Sequence, residues 1–249
     1  MIKATPFGVG VCNMTIQLFE VGGSIRDEFL GLENKDRDFC AVAPSWEVLL
    51  AWCKANMNKI FLVTPEFLTV RGFMGGEAID IVLCRKDGPS TDGRHPDEVT
   101  PGTLEDDLAR RDFTMNALAV EVDTKLNRTG EVIDLFGGVE DIKNRKLRAV
   151  GDVCDRLNED GLRLLRAARF IVTKDVKADD ELAFCLETAV WWDHLAKTVS
   201  QERIREELQK MFKHNTAATM KFLTWNCSSM TVGKLFQNGL WLKPHLGKK

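Results

Sequence analysis

The spacing of apolar residues changes partway along the chain, and this change limits the folds that the chain can adopt. Over the first 90 residues, short apolar runs alternate with amphipathic stretches, a pattern that predicts strands separated by turns and helices. Beyond Glu140 the spacing becomes helical, and Ile204, Leu208 and Phe212 recur every fourth residue, as on one buried helix face. The expected fold class is therefore α+β, with a mixed first part and an all-helical second part.

The first part divides into short elements. A Gly-, Pro- and Asp-rich segment over 85–104 has no apolar period and is expected to be a long loop. The other expected elements, in order, are a strand over 16–21, a helix over 24–30, a strand over 38–42, a helix over 45–55, strands over 60–64 and 78–84, and a helix running into a strand over 104–120. The strands thus concentrate before the helical part begins.

Composition places the chain among globular proteins. Its 249 residues are 44% hydrophobic and 29% charged, which suits one large domain or two modest ones. No apolar run approaches a membrane span, and residues 1–10 lack the apolar core of a signal peptide, so a cytoplasmic location is expected. The seven cysteines form no CxxC pair, which argues against a disulfide framework and against structural zinc.

Charge is distributed unevenly along the chain. Residues 1–150 carry 18 Lys and Arg against 24 Asp and Glu, whereas residues 203–249 carry 9 against 2. An acidic first part suits a carboxylate–metal site, and a basic end suits a polyanionic partner. Solvated lysines alone give the same basic end, so both interpretations stay open.

Two aspartates, Asp36 and Asp38, stand one residue apart at the start of an expected strand. The period of two puts both carboxylates on one face and Arg37 and Phe39 on the other. Carboxylates held so close repel each other unless a cation lies between them, and oxygen ligands of this kind suit Mg²⁺. Ordinary turn or strand-end aspartates give the same pattern, so the pair alone does not decide between the two.

Two neighbouring features point to phosphate chemistry. Gly22, Gly23 and Ser24 lie between an expected strand and an expected helix, where backbone N–H groups can bind a phosphate. An ordinary tight turn between a strand and a helix can have the same sequence. Asp80 lies within the apolar strand over 78–84, so it either faces solvent or meets a cation. Three carboxylates on adjacent strands would suit two-metal phosphoryl transfer.

These segments belong to a longer series of motifs. The segment 21–27, followed by Asp36 and Asp38, resembles the first motif of the class II tRNA nucleotidyltransferases (CCA-adding enzymes) and bacterial poly(A) polymerases, members of the DNA polymerase β superfamily. Further segments resemble later motifs of that family in the same order: 92–97 its flexible loop, 110–119 its second motif, 134–138 with 147–148 its hinge, 159–166 its base-reading motif and 202–208 its fifth motif. The resemblance therefore covers most of the chain.

The resemblance implies an architecture. It implies a nucleotidyltransferase head with a mixed, largely antiparallel sheet over 1–138, a helical neck that recognises the base over 139–215, and a short basic remnant of the helical body over 216–249. Relatives continue through larger body and tail domains, so the resemblance implies a shortened C-terminus. No phosphohydrolase appendage is expected.

The resemblance also implies an activity, namely template-independent addition of C, C and A to tRNA 3′ ends from CTP and ATP. The implied partners are the tRNA 3′ end and these nucleotides, with no DNA and no membrane, while a homo-oligomer stays open. A poly(A) polymerase, or an enzyme that adds only A or only CC, shares the same motifs. A non-catalytic RNA-binding relic is the alternative of a different class.

The site residues follow from the matched motifs. The resemblance implies two Mg²⁺ ions held by Asp36 and Asp38, with Asp80 as a third, catalytic carboxylate. The expected nucleotide-binding residues are Gly22, Gly23, Ser24, Arg26, Arg111, Asp112, Asn116, Asp160, Arg163 and Arg166. Among them, Arg111 is expected to neutralise the triphosphate, whereas Asp112 and Asn116, four residues apart, are expected to share a helical face or turn and hold the ribose.

The base-reading motif carries the most specific expectation. Asp160 and Arg163 are predicted at i and i+3 on one helical face, and the resemblance implies that they bond the Watson–Crick edge of CTP or ATP. An exposed pair between Glu159 and Arg163 is the simpler alternative. Gly161 is expected inside this helix, where glycine costs roughly 1 kcal/mol against alanine, so a looser helix is predicted.

Overall fold

The computed structural model describes residues 16–33, 36–87, 99–227, 229–237 and 239. The strands are β1 (Gln17–Val21), β2 (Asp38–Val42), β3 (Lys59–Thr64), β4 (Thr69–Met74), β5 (Glu77–Leu83), β6 (Arg85–Asp87), β7 (Val99–Pro101), β8 (Leu118–Val122), β9 (Ile133–Asp134), β10 (Lys146–Leu147) and β11 (Lys177–Ala178). The helices are α1 (Gly23–Phe29), α2 (Trp46–Asn56), α3 (Leu104–Ala109), α4 (Gly138–Lys143), α5 (Val153–Glu159), α6 (Leu162–Lys174), α7 (Asp180–Glu187), α8 (Ala189–Thr198), α9 (Gln201–His214), α10 (Thr216–Asn226) and α11 (Ser229–Leu235). The α+β class is confirmed, while the segment 92–97 lies outside the described residues.

Seven of the strands form one sheet, in the order β3–β4–β5–β2–β1–β8–β9. The β2–β5 pair is parallel, and the other neighbouring pairs of this sheet are antiparallel. The expected mixed, largely antiparallel sheet is therefore confirmed. In the register of β1 and β2, Val21 pairs with Asp38 and Glu20 pairs with Phe39, so these two pairs lie on opposite faces.

The two faces of the sheet have different coverings. The face that carries Phe39 packs against α2 through buried residues such as Leu49, and we call it the α2 face. The face that carries Val21 packs against Leu108 of α3, and we call it the α3 face. Asp38, the strand partner of Val21, begins β2 on the α3 face.

The helical part shares a core with the head. One hydrophobic cluster joins Ile25 of α1 to Leu165 of α6, Trp192 of α8 and Leu208 of α9. Trp192 is fully buried, and its indole N–H donates to the carbonyl oxygen of Leu186 at 2.7 Å, which satisfies its polar atom. Of the helices described, none is both long enough and apolar enough to cross a membrane.

The expectation of one long loop over 85–104 was wrong at its two ends. The ends of the expected 85–104 loop pair instead as antiparallel strands β6 and β7, and a Cβ on Gly102 would lie 2.7 Å from the Arg85 carbonyl carbon, so glycine permits this close approach. The helix running into a strand that is expected over 104–120 is present, with α3 ending at Ala109. After this helix the Thr114 N–H donates to the Arg148 carbonyl at 3.0 Å. A 3₁₀ turn over Thr114–Asn116 then leads into β8.

Candidate active site

A cavity of about 490 Å³ lies where one end of the sheet meets α6. Ten of the residues predicted for the site line it: Gly22, Gly23, Arg26, Asp38, Arg111, Asp112, Asn116, Asp160, Arg163 and Arg166. Among the described residues, Ser24, Asp36 and Asp80 do not belong to this lining. Segments separated by more than 100 residues thus converge on one cavity.

Arginine dominates the charge of the cavity. The lining holds seven arginines, Arg26, Arg110, Arg111, Arg163, Arg166, Arg169 and Arg203, against three carboxylates, Asp38, Asp112 and Asp160. A guanidinium group presents paired donors that match phosphate oxygens. The excess of positive charge therefore suits a ligand with several phosphates.

The turn after β1 allows one of these arginines to approach the backbone. Gly22 has a φ of 80°, and a Cβ at this position would lie 2.8 Å from Nη1 of Arg111. Arg111 donates to the Asp107 carboxylate at 3.0 Å and to the Asn116 carbonyl at 3.2 Å. Gly22 is thus required both for its left-handed backbone and for the space that the guanidinium occupies.

Carboxylates gather at the start of β2. Burial raises the pKa of Asp38, and the negative charges of Asp80 and Asp36 raise it further, against the opposing effect of Arg111. Like charges held together in this way favour a bound cation, and carboxylate oxygens suit a hard divalent ion. No group of three or more potential ligands (His, Cys, Asp or Glu) occurs within the described ranges. The carboxylates here could supply only part of the ligands of a divalent ion, and substrate and water would have to supply the rest.

The third predicted carboxylate already has a partner. Asp80 of β5 lies opposite Arg71 of β4 in the register, and Arg71 donates to it from Nε and Nη2, each at 2.5 Å. The strand β5 runs beside β2, where Ile81 pairs with Phe39, so Asp80 lies close to Asp38. A role for Asp80 in metal binding would require this bidentate ion pair to rearrange.

Asp112 and Asn116 meet across the 3₁₀ turn. The Asn116 amide donates to Asp112 Oδ1 at 2.8 Å, and Arg166 of α6 donates from Nε to Asp112 Oδ2 at 2.8 Å. Arg26 of α1 donates to the side-chain oxygen of Asn116. Burial alone would raise the pKa of Asp112, but the charge of Arg166 and these hydrogen bonds lower it, so Asp112 is anionic and held in one orientation.

The base-reading motif has a different local structure from the one expected. Asp160 is not helical: it follows α5, and its carboxylate accepts from the Leu162 N–H at 3.0 Å and from Arg203 of α9 at 2.7 Å. Arg163 lies in the first turn of α6 and donates to Glu159 at 2.7 Å. The prediction of one continuous helical face was wrong, because the bond from the Leu162 N–H to the Asp160 side chain, two residues earlier, is a local alternative to helix continuation. Both side chains nevertheless line the cavity.

Gly161 lies between α5 and α6, so the predicted looser helix was also wrong. A Cβ at Gly161 would lie 3.0 Å from Oγ1 of Thr198 and 3.1 Å from Cα of Leu195. Both neighbours belong to α8. The glycine therefore permits the close approach of α8 to the α5–α6 junction.

Five lining residues were missed by the prediction: Arg110, Leu162, Arg169, Phe170 and Arg203. Arg163, Arg166 and Arg169 recur every three residues along α6, a spacing that puts them on one helix face, so the sequence carried a signal for Arg169. The guanidinium groups of Arg26 and Arg169 lie 4.9 and 4.7 Å from the Phe170 ring centroid, so both cations are within cation–π distance of one aromatic ring.

Ser24 departs from its expected surroundings. Its hydroxyl donates to the carboxylate of Glu20 at 2.7 Å, on the α2 face and away from the cavity lining. A phosphate contact of Ser24 would therefore involve its backbone N–H at the start of α1 rather than its hydroxyl.

Comparison with known proteins shows what the chain is similar to. A family model described as the poly A polymerase head domain matches residues 18–148. A CCA-adding enzyme of Lactobacillus helveticus (strain DPC 4571) is 38% identical over 212 residues, which cover 84% of this chain and 49% of that protein. A CCA-adding enzyme of Lactococcus lactis subsp. lactis (strain IL1403) is 36% identical over 220 residues, covering 84% of this chain and 50% of that protein.

A solved structure has the same fold. The crystal structure of the Bacillus stearothermophilus CCA-adding enzyme in complex with CTP superposes with a TM-score of 0.67 at 31% sequence identity, covering 84% of this chain and 47% of that one. The chain thus spans about half the length of the curated relatives it matches.

Proposed function

The chain belongs to the family of poly A polymerase head domains, and on this premise we propose that it is a template-independent RNA nucleotidyltransferase that adds C, C and A to tRNA 3′ ends. CTP and ATP are the substrates, and the tRNA 3′ end is the acceptor. The relatives named above are CCA-adding enzymes, and one similar structure is a complex with CTP. These similarities favour CCA addition over the other activities that share the motifs.

The arginine-rich cavity is the observation that carries the proposal. It extends from Asp38 at the sheet end to Asp160 and Arg163 beside α6. A nucleoside triphosphate has the same order of parts: phosphates that need cations and metal, a ribose, and a base edge that needs donors and acceptors. Arg111 and Arg26 would bind the phosphates, while Asp112 and Asn116 would hold the ribose.

At the sheet end of the cavity, Asp36 and Asp38 would hold Mg²⁺. Two Mg²⁺ ions would supply the charge that lowers the pKa of the attacking 3′ hydroxyl and stabilises the pyrophosphate as it leaves. The two carboxylates would hold the reacting groups at the start of β2, and Asp80 would join them once released from Arg71. A hard ion with water and phosphate as further ligands suits this small set of carboxylates.

The other end of the cavity would select the base. The Asp160 carboxylate is fixed by Arg203 and by the Leu162 N–H, so an acceptor and the Arg163 guanidinium are presented at fixed positions. A base whose edge does not match would forgo hydrogen bonds to Asp160 and Arg163 while still losing its own bonds to water, which is a basis for discrimination. We expect CTP and ATP to match this edge and GTP and UTP not to.

The proposed roles are assigned to successive segments of the chain. The head over 1–138 would carry the metal and phosphates, and the neck over 139–215 would carry base recognition. The segment 216–249 would be a basic contribution to tRNA binding. The continuous core between α1 and α6 supports a head and neck that hold the two ends of one nucleotide.

Primer extension tests the proposal. A tRNA transcript that ends at the discriminator base is incubated with Mg²⁺ and CTP, and ATP is added afterwards. We expect two nucleotides to be added with CTP alone and a third with ATP. A long A tract would identify a poly(A) polymerase, arrest after one type of nucleotide would identify a partial enzyme, and binding without addition would identify a non-catalytic RNA-binding protein.

A further inference from the structure

A buried carboxylate lies behind the candidate site, on the opposite face of the sheet. Glu20 is 0% exposed, and it is the strand partner of Phe39 on the α2 face. Nothing in the proposed chemistry uses it. A buried acid in a strand is costly unless it is paired, so its partners indicate what it does.

Glu20 binds three side chains that come from different parts of the head. Ser24 of α1 donates to Oε1 at 2.7 Å, Arg37 donates to Oε2 at 2.7 Å, and Arg128 donates to both oxygens at 2.9 Å. Burial alone would raise the pKa of Glu20, but these donors outweigh it and lower the pKa to about 2. The carboxylate is therefore ionised, and its acceptor positions are filled by directed bonds.

Two of the three partners lie beside the proposed site residues: Arg37 just before β2 and Ser24 in the first turn of α1. Arg37 stands between Asp36 and Asp38, and it also donates to the Leu126 carbonyl at 2.8 Å and lies 5.0 Å from the Phe39 ring centroid. Arg37 immediately precedes β2, so its bond to Glu20 on the α2 face fixes the backbone at the point where Asp38 begins the strand on the α3 face.

The second partner, Ser24, fixes the start of α1. It follows Gly22 and Gly23 in the first turn of α1, whose backbone N–H groups are the proposed phosphate ligands. The third partner, Arg128, contacts Glu20 and Glu28 but belongs to neither of these segments. One carboxylate thus joins the metal-binding loop to the phosphate-binding turn.

We propose that Glu20 is a positioning residue, which through Arg37 and Ser24 fixes the loop of Asp36 and Asp38 relative to the start of α1. This inference rests on the proposed function, because it assigns a purpose to these two segments of that site. Groups that orient metal ligands from outside typically change metal affinity 10- to 100-fold when they are removed. Arg37 is expected to act in this way on the two aspartates.

Arg37→Met and Arg128→Met form a matched pair of variants. Each removes one guanidinium from Glu20, and the two side chains have comparable exposure, 22% and 33%. If Glu20 is only a structural ion pair, both variants lose stability and neither changes metal binding selectively. If Glu20 positions the site, the effect on metal binding is confined to Arg37.

Mn²⁺ alone is the probe for binding, followed by electron paramagnetic resonance of the free ion. We expect Arg37→Met to weaken Mn²⁺ binding about tenfold and to raise the Mg²⁺ concentration for half-maximal CTP addition by a similar factor. Arg128→Met is expected to stay within about twofold of the unmodified chain in both measurements. Arg37→Lys, which keeps a donor for Glu20, is expected to recover most of the loss, and it serves as the test if Arg37→Met does not fold.

Ser24→Ala tests the second connection. It is expected to raise KM for CTP a few-fold without changing the Mn²⁺ affinity, because it loosens the phosphate turn only. Equal metal effects in Arg37→Met and Arg128→Met, or none in either, would overturn the proposal. If the unmodified chain adds no nucleotide, the proposed function fails, but the Mn²⁺ comparison still decides whether Glu20 positions the aspartates.

Discussion

Two parts of the cavity treat carboxylate charge in opposite ways. At the sheet end, burial and the neighbouring carboxylates Asp80 and Asp36 raise the pKa of Asp38. At the α6 side, burial is outweighed by Arg166 and by hydrogen bonds, which lower the pKa of Asp112. A cation would neutralise the negative charge at Asp38, whereas Arg166 already neutralises Asp112 within the protein. The comparison separates a carboxylate that is proposed to bind a cation from one that the protein itself pairs.

The largest expected effect follows from removing charge at the sheet end. Asp38→Asn keeps the shape of the side chain but removes one metal ligand, so we expect CTP addition to fall by about 10³-fold. Because the substitution also relieves repulsion, the midpoint of thermal unfolding should not fall. Single-turnover extension and differential scanning calorimetry measure the two quantities. A variant that loses activity and stability together would contradict the contrast.

Removing charge at the α6 side should act on stability instead. Asp112→Asn leaves Arg166 without its anionic partner, and because that arginine is partly exposed we expect a loss of about 2–3 kcal/mol in the free energy of unfolding. Urea denaturation measures this loss. Lys143→Gln is the control, since it removes an exposed pair with Glu140 and should change stability by no more than about 0.5 kcal/mol. Equal losses in the two variants would show that burial does not matter here.

Acidification should reveal the paired carboxylates. The pKa of Glu20 is lowered from its ordinary 4.5 to about 2, so its contribution to stability is complete above pH 4.5 and disappears as the pH falls toward 2. Urea denaturation across this range should show a steeper loss of stability in the unmodified chain than in Glu20→Gln. Parallel pH profiles would mean that Glu20 is not held as the structure indicates.

The smallest effect concerns the junction that carries Asp160. Gly161→Ala adds a methyl group 3.0 Å from Thr198 and 3.1 Å from Leu195, so a loss of about 1–2 kcal/mol is expected. Gly233→Ala in α11 is the matched control, because nothing lies within 4 Å of the added methyl group. It should stabilise the chain by about 0.5–1 kcal/mol. Thermal unfolding distinguishes a loss from a gain.

The sequence predicted the sheet better than the connections. The strand over 38–42 and the alternation that separates Asp38 from Phe39 follow from local periodicity, and the structure agrees with both. The pairing of β6 with β7 was not predicted, because glycine and proline obscure the alternation of apolar and polar residues that is typical of a strand. The helix running into a strand over 104–120 was predicted, but the end of the helix at Ala109 and the start of the strand at Leu118 were not.

Most residues that line the cavity were predicted from the sequence, but their ion-pair and hydrogen-bond partners were not. Motif order brought Asp38, Asp112 and Asp160 together, yet the ion pair between Asp160 and Arg203 joins residues that are distant in sequence. The pairing of Asp80 with Arg71 and the burial of Glu20 likewise result from strand register and tertiary contacts. Such contacts decide which carboxylates are neutralised by the protein and which are left for a cation.

Product length on a tRNA transcript that lacks its 3′ CCA tests the central claim most directly. With Mg²⁺, CTP and ATP together, the unmodified chain should extend the transcript by three nucleotides and then stop, whereas Asp38→Asn should leave it unextended in the same time. Extension by Asp38→Asn at the unmodified rate, or no extension by either protein, would contradict the assignment of nucleotide addition to this cavity.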